Sequence, residues 1–135
     1  MRLFIYFLIF GSLSISNAIA QQNEMISTID FVEILNSNKA EAQHYYQNNW
    51  QELRKMAVNE GYIDSYQLLE TPYSEEAPFH MILITTYLNK EQYDKREDHF
   101  RELIEKKGEL NLLNEKKPSE FRKTVFSKEM VAHLE

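Results

Sequence analysis

The chain contains no cysteine, three glycines, three prolines and a single tryptophan in 135 residues. Without cysteine there is no disulfide framework, no thiolate nucleophile and no cysteine metal site, so stability must come from a packed core. Glycine-rich phosphate loops are excluded, as is a Gly-x-Ser-x-Gly nucleophile elbow. Basic residues are outnumbered, 15 against 21 acidic, for a net charge of −6. A negative surface repels phosphate backbones and anionic lipid heads, so neither nucleic acid nor a membrane surface is an expected partner.

Scarcity makes the remaining glycines informative. Beyond residue 20 only Gly61 and Gly108 occur, each at the end of a long helical pattern, where a left-handed residue stops a helix. The starts are marked as well. Asn38 precedes Lys39-Ala40-Glu41, and Asn89 precedes Lys90-Glu91-Gln92. An Asn side chain can accept from a free helix N–H, and a Glu or Gln three residues on can reach back to the cap.

Arg2, the apolar run Leu3 to Ile15 and Ala18-Ile19-Ala20 together predict a signal peptide over 1–20, cleaved before Gln21. The run is shorter than the roughly 20 residues of a spanning helix. A secreted or periplasmic protein follows, with no membrane segment after cleavage and a charge of −7 once Arg2 is lost. Residues 21–28 read as a polar leader, 29–127 as one domain and 128–135 as a C-terminal tail.

Thr28 to Leu35 is rich in β-branched and aromatic residues and favours a strand. A helix competes, since Thr28, Val32 and Leu35 share a helical face, but about eight residues between polar flanks suit a strand better. Lys39 to Glu60 carries the stripe Ala42, Tyr46, Trp50, Leu53, Ala57 and predicts a helix. Lys39, Gln43, Gln51, Arg54, Lys55 and Asn59 take its other side, with poor segregation near Arg54. Tyr62 to Thr71 reads as a strand, and the two prolines between Thr71 and Pro78 interrupt the ladder. Phe79 to Leu88 is the strongest strand, apolar on both faces. Asn89 to Lys107 is a second helix with Tyr93, Phe100, Leu103 and Ile104 inward. Thr124-Val125-Phe126 reads as a short fourth strand before a frayed tail, although Phe126, Met130 and His133 also sit at helical spacing.

Two helices can cover only one face of Phe79 to Leu88. A second copy of the chain, packed sheet to sheet, covers the other, so a homodimer is expected. The element order βαββαβ is α+β and ferredoxin-like, an antiparallel sheet with two helices on one face. With Phe31-Val32-Glu33-Ile34, Asn49-Trp50 and Glu60-Gly61-Tyr62-Ile63, the region Ile29 to Ile104 resembles the dimeric α/β-barrel superfamily. More narrowly it resembles exported bacterial NIPSNAP-like and antibiotic-biosynthesis-monooxygenase-like members. The resemblance implies a barrel closed across the dimer and a pocket between sheet and helices. Activities among such proteins range from cofactor-free oxygenation of aromatics to haem breakdown to none known. The haem-degrading members pair an Asn on the first strand with a helical His, and Thr28 to Leu35 holds no Asn.

Candidate chemistry is sparse. None of His44, His80, His99 and His133 makes a metal-binding spacing, and no metal or other cofactor is expected. Asp94, Asp98 and Glu102 step along one helix, interspersed with Lys and Arg as on a solvated ion-pair face. His80, beside Ile82, is the candidate acid or base; the plainer reading is a hydrogen-bonded strand-end histidine. Tyr46, Trp50, Tyr66 and Tyr87 are the candidate ligand-binding set, an aromatic lining for a small apolar or aromatic ligand. The plainer reading of the same four is core. A binding module is therefore the leading reading. Its rivals are a cofactor-independent monooxygenase, in which Trp50 and Tyr66 position a ring and His80 deprotonates it, and a purely structural dimer.

Overall fold

The computed structural model describes residues 24–134, so the expected signal peptide (1–20) and residues 21–23 of the polar leader lie outside it. Four strands form one antiparallel sheet: β1 (Ile26–Ile34), β2 (Ser65–Glu70), β3 (Met81–Tyr87) and β4 (Arg122–Ala132). The strand order is β2-β3-β1-β4, with every neighbouring pair antiparallel. Between β1 and β2 runs a helical rod of α1 (Lys39–Tyr45), a π-helical turn (Tyr46–Trp50) and α2 (Gln51–Asn59). Between β3 and β4 lie α3 (Lys90–Asp94), α4 (Arg96–Lys107) and the four-residue α5 (Pro118–Phe121). This is the ferredoxin-like arrangement, as the sequence pattern predicts.

The two helix starts differ. Asn89 caps α3 as expected, its side chain accepting from the Gln92 N–H at 2.9 Å. Gln92 reaches back to the Leu88 N–H at 2.7 Å and also holds the Gly61 carbonyl at 2.9 Å, tying the two rods together. Asn89→Ala is therefore expected to destabilise the fold by about 1 kcal/mol, read from a urea titration. Asn38, by contrast, makes no side-chain cap. Its amide donates to the Glu120 carbonyl at 3.1 Å and its oxygen accepts from Lys116 Nζ at 2.7 Å. A tertiary clamp has displaced the local one. Gly61 ends the first rod at φ 71°, the left-handed region where a side chain is strained.

The C-terminal region departs furthest from expectation. Instead of a short strand and a frayed tail from residue 128, β4 runs eleven residues to Ala132. Its pairing with β1 shifts register between Ser27 and Ile29 and again between Phe31 and Val32. Met130 sits at φ 52° inside the first shift. Two bulges break the alternation that would otherwise mark a strand. The strand is launched by α5, where Pro118 occupies the first turn and Glu120 accepts from the Lys117 N–H at 2.8 Å.

All the helix packing falls on one face of the sheet. Met81, Leu83 and Tyr87 alternate into it from β3, where they meet Tyr46, Ala57 and Leu103 in two buried clusters. The opposite face is bare. Cross-strand register places Leu69, Ile82, Phe31 and Phe126 in one row, one residue from each strand. Phe126 stacks on Phe31 at 4.4 Å and Phe79 meets Phe31 edge-on at 4.8 Å. Leu69 and Phe126 remain 41% and 43% exposed. An apolar row this continuous lies outside the ordinary scatter of surface hydrophobics.

Candidate functional site

The candidate site gathers around Arg54, where the first rod meets both α4 and the sheet. The first rod turns Tyr46, Trp50, Leu53 and Ala57 toward the sheet, and Arg54 joins them. Trp50 and Phe100 clamp the Arg54 guanidinium, whose carbon lies 4.4 Å and 4.3 Å from the two ring centres. Its Nε donates to Thr85 Oγ1 at 3.2 Å. No carboxylate forms an ion pair with it among the described residues. Desolvation pushes its pKa down to about 10. It stays charged at neutral pH, held where charge is poorly solvated.

Cavities open on either side of this residue. One, of about 260 Å³, is walled by Tyr45, Trp50, Leu53, Ile104 and Leu110, with Arg54 and Lys107 as its cations. A second, of about 290 Å³, shares Leu53, Arg54 and Ile104, and is more charged, adding Arg96 and the carboxylates Asp30, Glu97 and Glu129 beside Tyr87. A smaller hollow of about 160 Å³ lies between Asp30, Tyr46, Trp50 and Arg122. The π-helical turn contributes Tyr46, Asn49 and Trp50 to these walls. Such turns concentrate at functional sites because one extra residue re-aims the side chains that follow. Asn49 secures the wall: its amide donates to the carbonyls of Tyr45 (2.9 Å) and Asn111 (2.8 Å), and its oxygen accepts from the Asn111 N–H (2.7 Å) and Lys107 Nζ (3.1 Å).

The four aromatic candidates divide. Trp50 lines the first cavity and the small hollow, Tyr46 the hollow and Tyr87 the second cavity. Tyr66 meets Trp50 edge-on at 6.0 Å but lines none of the three. Tyr46 and Tyr87 are fully buried core members as well as wall. Burial raises the pKa of both phenols above the usual 10.0. For an acid whose folded pKa is raised, the associated stability is full below the unfolded pKa and is lost as pH climbs from about 10. Tyr46→Phe is accordingly expected to flatten the loss of stability above pH 10, measured by denaturant midpoints at pH 8 and pH 11.

His80 stands apart from the gap. Its Nδ1 accepts from the Ile34 N–H at 3.0 Å and its ring packs on Tyr73 at 5.0 Å, and it lines none of these cavities. His44 bonds Asn111 at 2.8 Å, and His99 stacks on Tyr62 at 3.7 Å. Among the described residues no group of three or more His, Asp or Glu could hold a metal ion. On the bare sheet face a wider hollow of about 460 Å³ is bordered by Ile29, Ile84 and Val131. Ser27 there bonds both Thr86 Oγ1 and His133 Nε2 at 2.7 Å, which docks the end of β4.

Arg54 is the residue that sequence reasoning misplaced, counted with the outer side of its helix. The signal was present: it follows Trp50 by four and precedes Ala57 by three, the spacing of the buried stripe.

No protein-family model and no curated protein matches the chain. Among solved structures it is similar to HapK from Hahella chejuensis, at 11% identity over 77% of this chain and 89% of that one, with a TM-score of 0.47. It is also similar to an uncharacterized NIPSNAP-like domain protein from Burkholderia xenovorans, at 10% identity over 81% of this chain and 85% of that one, with a TM-score of 0.45. The chain is a ferredoxin-like α+β protein, an assignment that rests on its own strand order and antiparallel pairing.

Proposed function

We propose that this protein is an exported small-ligand binding module that works as a homodimer. The pair of cavities meeting at Arg54, one between the first rod and α4 and the other between helices and sheet, is the observation that carries the ligand reading. Apolar and aromatic walls with a few fixed polar groups are the usual make-up of such sites. At about 260 Å³ and 290 Å³ the cavities suit a ligand of one or two rings. The position of His80 outside the gap supports binding over proton abstraction by that ring.

The bare row Leu69, Ile82, Phe31 and Phe126 supports pairing of two copies through their sheets. A twofold axis lets the same apolar row serve both partners. The run from Arg2 to Ala20 supports export, and among the described residues no helix is long and apolar enough to cross a membrane.

Native mass spectrometry of residues 21–135, purified gently from an exporting host, tests the ligand reading. The expected spectrum shows a species heavier than the bare chain by a small organic mass, released on activation. A spectrum of bare protein alone, together with failure of small aromatic compounds to bind on addition, would contradict it.

A further inference from the structure

The first cavity has an electrostatic character that the chain as a whole does not. Overall the protein is acidic, with 21 carboxylates against 15 basic residues. Most surface lysines find one: Lys39, Lys55, Lys90, Lys95, Lys106 and Lys116 are all paired. Yet the cavity beside Trp50 has two cations, Arg54 and Lys107, and no acid in its walls. Neither cation has an ion-pair partner among the described residues. Asp30, Glu97 and Glu129 line the other cavity that Arg54 borders, yet none of them forms an ion pair with it. A desolvated guanidinium so incompletely paired is costly in the empty protein, and an anion delivered by a ligand would offset part of that cost.

Geometry narrows the anion. Both faces of the guanidinium are covered by Trp50 and Phe100, and Nε is committed to Thr85. The Nη edge has no hydrogen-bond partner among the described residues. That edge offers parallel N–H groups at the spacing of a carboxylate. The remaining walls, Tyr45, Trp50, Leu53, Ile104 and Leu110, are apolar or aromatic. We propose that this cavity takes a small aromatic monocarboxylate, its ring against Trp50 and its charge met by Arg54 with Lys107 beside it. The proposal rests on the ligand-binding reading and names the class of ligand.

Trp50 is the single tryptophan, so its indole N–H resonance reports this cavity without ambiguity. Benzoate and its neutral isostere benzamide, titrated into the full chain from Gln21, are the probes. Benzoate is expected to shift that resonance saturably and to bind at least about tenfold tighter than benzamide, as one charge-assisted pair implies. Arg54→Met, which keeps the stem and removes the charge, should abolish the preference. Where Arg54→Met does not fold, Lys107→Met at the cavity rim carries the comparison, with an expected loss of about threefold or more for benzoate alone. Equal binding of the two probes overturns the carboxylate assignment and leaves the cavity as a ligand site. An unmoved Trp50 resonance with either probe overturns both.

Discussion

Leu83→Lys and Ile84→Lys, one residue apart on the same strand, are expected to fail in different ways. Leu83 is buried against Tyr46 and Val32 beneath the first helical rod. A lysine there places an unpaired charge in the core, and the chain is expected to lose its fold. Ile84 points to the bare face, opposite Ile29 on β1 and Gln67 on β2. A lysine at that position leaves the helix-side core untouched. It is expected to keep the far-UV circular dichroism spectrum while weakening the proposed dimer on the order of 100-fold, the effect of breaking an interface hot spot. Sedimentation equilibrium across a concentration series measures the second effect directly. A folded Ile84→Lys protein that still dimerises as the wild type does would remove the sheet face from the interface.

Phe121→Ala is expected to destabilise the protein by about 3–5 kcal/mol, a large share of the roughly 5–15 kcal/mol that holds a domain of this size folded. Phe121 is 0% exposed, although it belongs to a helix of only four residues. Its ring packs on Tyr45 at 5.4 Å, and its carbonyl accepts from the Leu35 N–H at 2.8 Å. The ring pins the start of β4 to the first rod, while the backbone carbonyl ties it to the end of β1. Removing the ring leaves a cavity where the start of β4 meets the first rod, with the β1–β4 ladder itself intact. Leu134→Ala is the control: at 93% exposure it is expected to change stability by less than about 0.5 kcal/mol. Urea midpoints compared across the two variants give both numbers.

Strong local signals made most of the fold legible. Asn89 with Gln92, Gly61 and Gly108 bracket the helices in sequence, and the structure keeps their ends within a residue or two of those marks. β3 was legible because Phe79 to Leu88 is a run of apolar and β-branched residues without glycine or proline, as a strand packed on both faces requires. Where tertiary contacts outcompeted local chemistry, the sequence misled. Asn38 has the look of a cap and instead binds Glu120 and Lys116, more than seventy residues away. β4 hid because two bulges put consecutive residues on unexpected faces, and Phe126, Met130 and His133 then mimic a helical period. The Pro118–Phe121 turn is too short to leave a period at all.

The site was legible in part for the same reasons. Trp50 and Tyr46 stand out as a buried aromatic stripe, and they do line the gap. Arg54 was hidden by its charge, which argues for the surface until its stacking between Trp50 and Phe100 is seen. Phe100 lies forty-six positions away on another helix, a juxtaposition no local pattern encodes. His80 attracted notice as a lone histidine on an apolar strand, and its Nδ1 turns out to close a backbone hydrogen bond with Ile34.

The measurement that bears most directly on the proposed division, a ligand on the helix side of the sheet and a second copy on its bare face, is an isotope-filtered NOE experiment on a mixture of labelled and unlabelled chains. One copy carries labelled methyl groups and the other is unlabelled. Intermolecular NOEs are expected at the methyls of Ile29, Ile82 and Ile84 on the bare face, and not at Leu53 or Ile104, which wall the cavities beside Arg54. With benzoate added, ligand NOEs are expected at Leu53 and Ile104. Intermolecular NOEs confined to Leu53 and Ile104, or none at any of the five, would contradict this division of the sheet's two faces.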